Sequence, residues 1–264
     1  MQRSDRSIYP RKVSTVHSTS WSPVATWYTK LVGESGSYFH EHIIIPKTLA
    51  LLSLNDTSSL LDVGCGEGVL ARAIPKNVAY TGMDISGNLI SEAKKRDHNP
   101  RHTYQLVDVT QNFQMNQGLY SHAVFLLSLQ NMEQGEGAIS NIAKMLKPNG
   151  ILVLVLNHPC FRIPRQTSWG IDEKNKMQYR RINRYYSPLK IPITAHPGQK
   201  TSPVTWSYHY PISEYTKWLY KNNFNIQLIE EWMSDKESEG TARRMENRSR
   251  SEFPLFLAMK VVKQ

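Results

Sequence analysis

The chain of 264 residues has only two cysteines, Cys65 and Cys160, far apart and in no C-x-x-C pair. That scarcity argues against a structural zinc site and fits a reducing compartment. No run approaches the ~18 apolar residues of a membrane-spanning helix, so no membrane partner is expected. Residues 1–22 are polar and rich in Ser and Thr, with no apolar core of a signal peptide, so a flexible tail and a cytoplasmic location are expected. The glycine-rich stretch at 64–68 is followed by no Gly-Lys-Ser/Thr, which excludes a P-loop. A G-x-G-x-x-G dinucleotide fingerprint would need a glycine at 69, where Val69 stands. No internal repeat is visible.

What is present is 40% hydrophobic residues, enough for one large α/β domain with an elaboration. The net charge is +10 and uneven. Residues 157–210 carry nine basic and two acidic groups, whereas 56–156 carry eight and nine. A patch of that sign attracts phosphate, carboxylate or nucleic acid, or is a solvated surface with internal ion pairs.

Apolar runs predict strands at 59–63, 78–84, 102–107, 122–127 and 151–156, alternating with helical patterns at 69–74, 86–96 and 133–146. This βαβα rhythm predicts a parallel sheet with helices on both faces. Apolar spacing over 42–54 predicts a helix before the first strand, and 23–31 a further short one, both as an N-terminal cap. Residues 157–210 hold eight prolines or glycines and many aromatics. They read as an insertion with one small hairpin. A helix over 212–221, capped near Ser213, and strands at 224–232 and 253–262 close the chain, with 234–251 a loop or solvated helix.

The segment Asp62-Val63-Gly64-Cys65-Gly66-Glu67-Gly68 joins a strand to a glycine turn, as a nucleotide crevice at a strand's carboxyl end requires. With Gly82-Met83-Asp84-Ile85-Ser86, Val107-Asp108-Val109 and Leu146-Lys147-Pro148-Asn149-Gly150, it resembles class I S-adenosylmethionine (SAM) methyltransferases. The resemblance covers about residues 40–160 and 211–264. It implies a Rossmann-like seven-stranded sheet of order 3-2-1-4-5-7-6, with strand seven antiparallel, and SAM as cofactor. The core would span 23–156 and 211–264, with 157–210 as a lid over the acceptor. Asn157-His158-Pro159-Cys160-Phe161-Arg162, Ser168-Trp169 and Tyr208-His209-Tyr210-Pro211 also resemble a bacterial, type 11-like subgroup that acts on small molecules.

The resemblance implies a role for each motif residue. Gly64, Gly66 and Gly68 let the loop pass close to the methionine part of SAM, and Asp62 accepts from the loop or the ligand amine. Asp84, twenty residues after Gly64, accepts both ribose hydroxyls, with Ile85 beside it. Asp108 accepts from the adenine amino group, and Val109 offers its N–H. Leu127 and Ser128 line the pocket. Tyr28, Tyr38 and His42 are expected to close over the cofactor.

Methyl transfer asks the protein mainly to align nucleophile and methyl, which can supply ~7–11 kcal/mol. A general base adds ~10²–10⁴-fold where the acceptor is protonated. His158 and His209 are the candidate bases, with packing or orienting roles as the alternative. His40 and His42, two apart, face different ways on a helix, so no metal is expected. The first-choice acceptor is a small molecule, possibly anionic, met by Arg162, Arg165, Trp169, Arg180, Arg181, Arg184 and Tyr210. The alternative is RNA, gripped by the basic insertion; a third reading is a non-catalytic SAM binder. Leu127-Ser128-Leu129-Gln130-Asn131 lacks the Asn/Asp-Pro-Pro-aromatic motif of exocyclic-amine nucleic-acid methylases. Cys160 follows a proline as in cytosine-C5 RNA methylases, but the partner motif after strand four is missing, so a small buried residue is expected. Oligomeric state is not legible in the sequence.

Overall fold

The computed structural model describes residues 36–113, 117–194 and 204–264. The expected tail at 1–22, the helix at 23–31 and Tyr28 lie outside the described residues.

Seven strands form one sheet: β1 (Ser59–Val63), β2 (Ala79–Asp84), β3 (His102–Leu106), β4 (Tyr120–Leu126), β5 (Leu146–Asn157), β10 (Phe224–Trp232) and β11 (Phe256–Lys263). Their order is β3-β2-β1-β4-β5-β11-β10. Strands β1 to β5 pair in parallel, and β11 runs antiparallel to both β5 and β10. The expected order 3-2-1-4-5-7-6 is therefore present, with β10 as strand six and β11 as strand seven. The run Leu152–Leu156 makes β5 a central strand, because such a run is buried on both faces.

Each face of the sheet is covered. Helices α1 (Ile45–Leu52) and α2 (Gly87–Arg96) pack on one side, through Leu51, Leu52, Ile90 and Ala93 against Leu60, Val124 and Val153. Helices α3 (Gly135–Met145) and α4 (Ile212–Lys221) pack on the other, through Ile139, Ile142, Trp218 and Leu219 against Leu61, Phe125 and Leu154. Pro46 sits in the first turn of α1, where its missing N–H costs nothing. A single turn of wider π geometry, His40–Ile44, precedes α1.

Three expectations are corrected. Residues 69–74 form turns, not a helix. Gly68 at φ 73° and Pro75 bound a stretch too short to repay helix nucleation, and Ala73 and Ile74 both donate to Leu70 O. The insertion contains two hairpins rather than one: β6 (Thr167–Asp172) with β7 (Met177–Ile182), and β8 (Leu189–Thr194) with β9 (Val204–His209). Helix α4 takes Pro211, not Ser213, as its N-cap, because proline's fixed φ leads the chain into the helix. The charged stretch at 234–251 holds helix α5 (Arg243–Glu252).

Candidate cofactor and acceptor cavity

The order of the sheet reverses between β1 and β4, and ligands of open α/β sheets bind outside the carboxyl ends of strands at such a point. A cavity of about 520 Å³ opens there, within the ~300–1,000 Å³ of small-molecule sites. Gly64 and Gly66 after β1, Asp84 and Ile85 at the end of β2, Asp108 and Val109 after β3, and Leu127 and Ser128 after β4 all line it.

The chain joins these strand ends by hydrogen bonds. Gly66 N–H donates to Asp84 Oδ2 at 2.9 Å, and Ser86 N–H to Asp84 Oδ1 at 2.8 Å. Burial pushes the Asp84 carboxyl up, and these backbone donors oppose that shift. Ser128 Oγ donates to Val63 O, tying β4 to β1 across the reversal. Gly64, at φ 73°, lies so close that a Cβ there would sit 2.5 Å from Ser128 Cβ. Leu127 holds φ 54°, uncommon for a non-glycine residue, and Asn131 Nδ2 caps its carbonyl at 3.2 Å. Asp108 Oδ1 accepts from the Thr110 N–H and hydroxyl at 3.0 and 2.6 Å, leaving Oδ2 without a partner among the described residues.

Asp62 is 2% exposed and lies outside the cavity lining. Its Oδ2 accepts from Tyr80 Oη at 2.7 Å, while Oδ1 is buried with no partner among the described residues. Burial raises its carboxyl to about 7; the Tyr80 hydrogen bond opposes the rise and the nearby Asp84 adds to it. Gly68 also stays outside the lining, and its missing Cβ makes room for the Tyr104 hydroxyl. His42 is exposed and stacks on Tyr38 at 4.1 Å, and His40 lines the cavity instead.

Neither candidate base reaches the cavity. His158 is 1% exposed; its Nδ1 accepts from Cys160 N–H at 3.1 Å, so Nε2 carries the proton and donates to Glu231 Oε1 at 2.7 Å. His209 shares the face of β9 with Thr205 and Ser207, but its Nε2 lies 2.6 Å from Tyr185 O. Burial holds both imidazoles below their ordinary range. Cys160, expected buried, is half-buried at the chain's exit from β5.

The expected acceptor residues also sit elsewhere. Arg162 lies over the Phe256 ring, and Arg180 over Trp169 while donating to Phe161 O and Thr167 Oγ1. Arg181 is exposed on β7 and bonded to Asn183, and Trp169 packs edge-on against Phe253. Tyr210 donates to Glu133 O at the rim. From the insertion, Pro164, Ile193, Thr205 and Ser207 do line the cavity, with Gln130, Asn131, Gln134 and Asn157 nearby. Thr205 and Ser207 carry a legible signal that the sequence reading missed. In Thr205-Trp206-Ser207-Tyr208-His209 the small hydroxyl residues alternate with large aromatics, which puts them on one face of a strand.

The methyltransferase-domain family matches residues 38–229, most of the chain, and the protein belongs to it. A Geobacillus sp. protein provisionally named a methyltransferase is 24% identical over 245 residues, covering 86% of this chain and 97% of its own. The demethylmenaquinone methyltransferase of Chlamydia caviae is 27% identical over 183 residues, covering 67% and 71%. Among solved structures, a SAM-dependent methyltransferase from Mesorhizobium loti superposes with a TM-score of 0.64 at 21% identity, over 83% of this chain and 96% of that one. At that identity the likeness speaks for the fold alone.

Proposed function

We propose that the protein binds SAM in the cavity at the strand ends and transfers its methyl group to a small molecule held beneath the second hairpin of the insertion, as in the small-molecule subgroup it resembles. The observation that carries this reading is the convergence of the glycine loop, Asp84 and Asp108 on one cavity whose far side is built by Thr205 and Ser207. The residues fit the cofactor: Asp84 and Asp108 keep acceptor capacity for the ribose hydroxyls and the adenine amine. The unpartnered Asp62 Oδ1 puts an acid below the glycine loop for the ammonium group. When bound, SAM supplies an electrophilic methyl on its sulfonium sulfur. The chain's part is to hold the acceptor in line and exclude water.

The lining favours an uncharged, polar acceptor. Gln130 Oε1 accepts from Asn157 N–H at 3.2 Å, which leaves its amide N–H₂ as a donor. The acids in the lining are Asp84, Asp108 and Glu133, and Glu133 is paired with Lys190 at 2.8 Å. No Lys or Arg of the described residues lines the cavity, so an anionic acceptor would find no permanent counter-charge there. The same distribution disfavours RNA, whose phosphates the insertion was expected to grip. The Chlamydia caviae relative is also named for a small molecule.

The test incubates purified protein with methyl-labelled SAM and a bacterial extract split into small molecules and total RNA. Label is expected in the small-molecule fraction, lost on Asp84→Ala. Label in RNA alone refutes the acceptor class.

A further inference from the structure

Resting on the SAM reading, we propose that His40 binds the amino-acid carboxylate of the cofactor. His40 is 9% exposed and lines the cavity, and it is the lining side chain of the described residues that can become a cation. The other titratable side chains there are acids: Asp84, Asp108 and Glu133. A carboxylate entering this cavity therefore has one side chain to neutralise it.

The position fits. Gly36, whose missing side chain leaves space for both His40 and Val69, lays the 36–40 segment over the end of the glycine loop. With adenine at Asp108 and ribose at Asp84, the amino-acid end of the ligand is directed toward Gly64 and His40. The imidazole is also oriented for the role. Its Nδ1 lies 2.9 Å from Ser37 Oγ, and among the described residues Nε2 has no partner. A protonated ring donates from both nitrogens, and the Ser37 hydroxyl can turn from donor to acceptor to receive Nδ1–H.

Without ligand, burial holds the imidazole below its ordinary range. The titratable groups beside it are the exposed Glu41 and His42 on its own turn, and Asp84, Asp108 and Glu133 in the shared cavity lining. None of them shifts it; burial alone does. A carboxylate against Nε2 would raise the imidazole's proton affinity, so binding near pH 7 takes up a proton. Raising the imidazole's pKa by about one corresponds to about tenfold in affinity.

The experiment titrates S-adenosylhomocysteine and 5′-methylthioadenosine, which lacks the amino-acid end, into the full chain by calorimetry. Buffers of different ionisation enthalpy report the protons exchanged. Wild type, His40→Gln and His42→Gln are compared at pH 7. Asp62 can lose a proton to the buffer when a cationic ammonium arrives, in every protein, so the quantity read is the difference between wild type and His40→Gln. We expect His40→Gln to lose proton uptake and bind S-adenosylhomocysteine at least tenfold more weakly, with methylthioadenosine binding unchanged and His42→Gln like wild type. Retained methylthioadenosine binding also shows that the variant is folded. Equal S-adenosylhomocysteine binding by wild type and His40→Gln, or equal weakening of both ligands, overturns the role of His40 and leaves the SAM site standing. Failure of the wild type to bind either ligand overturns the SAM reading itself.

Discussion

The backbone N–H of Gly66 donates to Oδ2 of Asp84 across 2.9 Å, so the acid that ends β2 also holds the glycine loop that follows β1. Asp84→Ala removes the proposed ribose acceptor and strands the Gly66 and Ser86 N–H groups together. It should abolish detectable S-adenosylhomocysteine binding and lower stability by about 1–3 kcal/mol. Calorimetry and urea unfolding check the two effects; wild-type affinity in the variant would remove Asp84 from the site.

Gly64 and Gly118 separate backbone strain from steric contact. Both have positive φ, but a Cβ on Gly64 meets Ser128, whereas one on Gly118 meets nothing within 4 Å. Gly118→Ala should cost only the left-handed penalty of about 1–2 kcal/mol. Gly64→Ala should cost more, because Ser128 must shift and its bond to Val63 O with it. Thermal unfolding of the two variants gives the comparison, and equal losses would contradict the packing argument.

The buried Asp62 makes a prediction about pH. Its carboxyl titrates at about 7 in the folded chain, against an ordinary 3.8. Between those values the folded state holds a proton that the unfolded state has lost, so stability falls as pH rises from about 4 to about 7. Asp84, also raised by burial, acts in the same sense. Asp62→Asn keeps an acceptor for Tyr80 and should flatten much of the slope. An unchanged slope in urea unfolding across that range would contradict the assignment.

His158 should behave as a structural residue. Removing it by His158→Ala leaves the Cys160 N–H without its acceptor and opens space beside Phe161. We expect a stability loss of about 1–3 kcal/mol with unchanged affinity for S-adenosylhomocysteine. A large loss of affinity in a folded variant would put His158 back at the cavity.

The central strands were legible because β1, β4 and β5 are apolar runs ending in turn residues, whereas the order of the sheet was implied only by the resemblance that the glycine loop and strand-end motifs carry. The placing of Asp84 and Asp108 on the cavity came with it, since both stand at strand ends. One hairpin was expected in the insertion and a second was missed: Trp169 and Ile171 on β6 and Met177 and Tyr179 on β7 alternate with other residues but stand exposed, so burial does not mark these strands. His42 was expected over the cofactor from the resemblance alone, which points to the capping region and not to the side chain of the 40–44 turn that lines the cavity. The arginines of the insertion read as an open basic patch, yet Arg162 and Arg180 lie against aromatic rings and Arg180 also donates to the Phe161 carbonyl, an arrangement visible only once the chain is folded.

The most direct test of the account is a crystal structure of the protein with S-adenosylhomocysteine. The account predicts the ribose hydroxyls on Asp84, the adenine amine on Asp108 and the amino-acid end over Gly64. A ligand bound away from the ends of β1, β2 and β3, or its adenine and ribose reversed along the cavity, would contradict it.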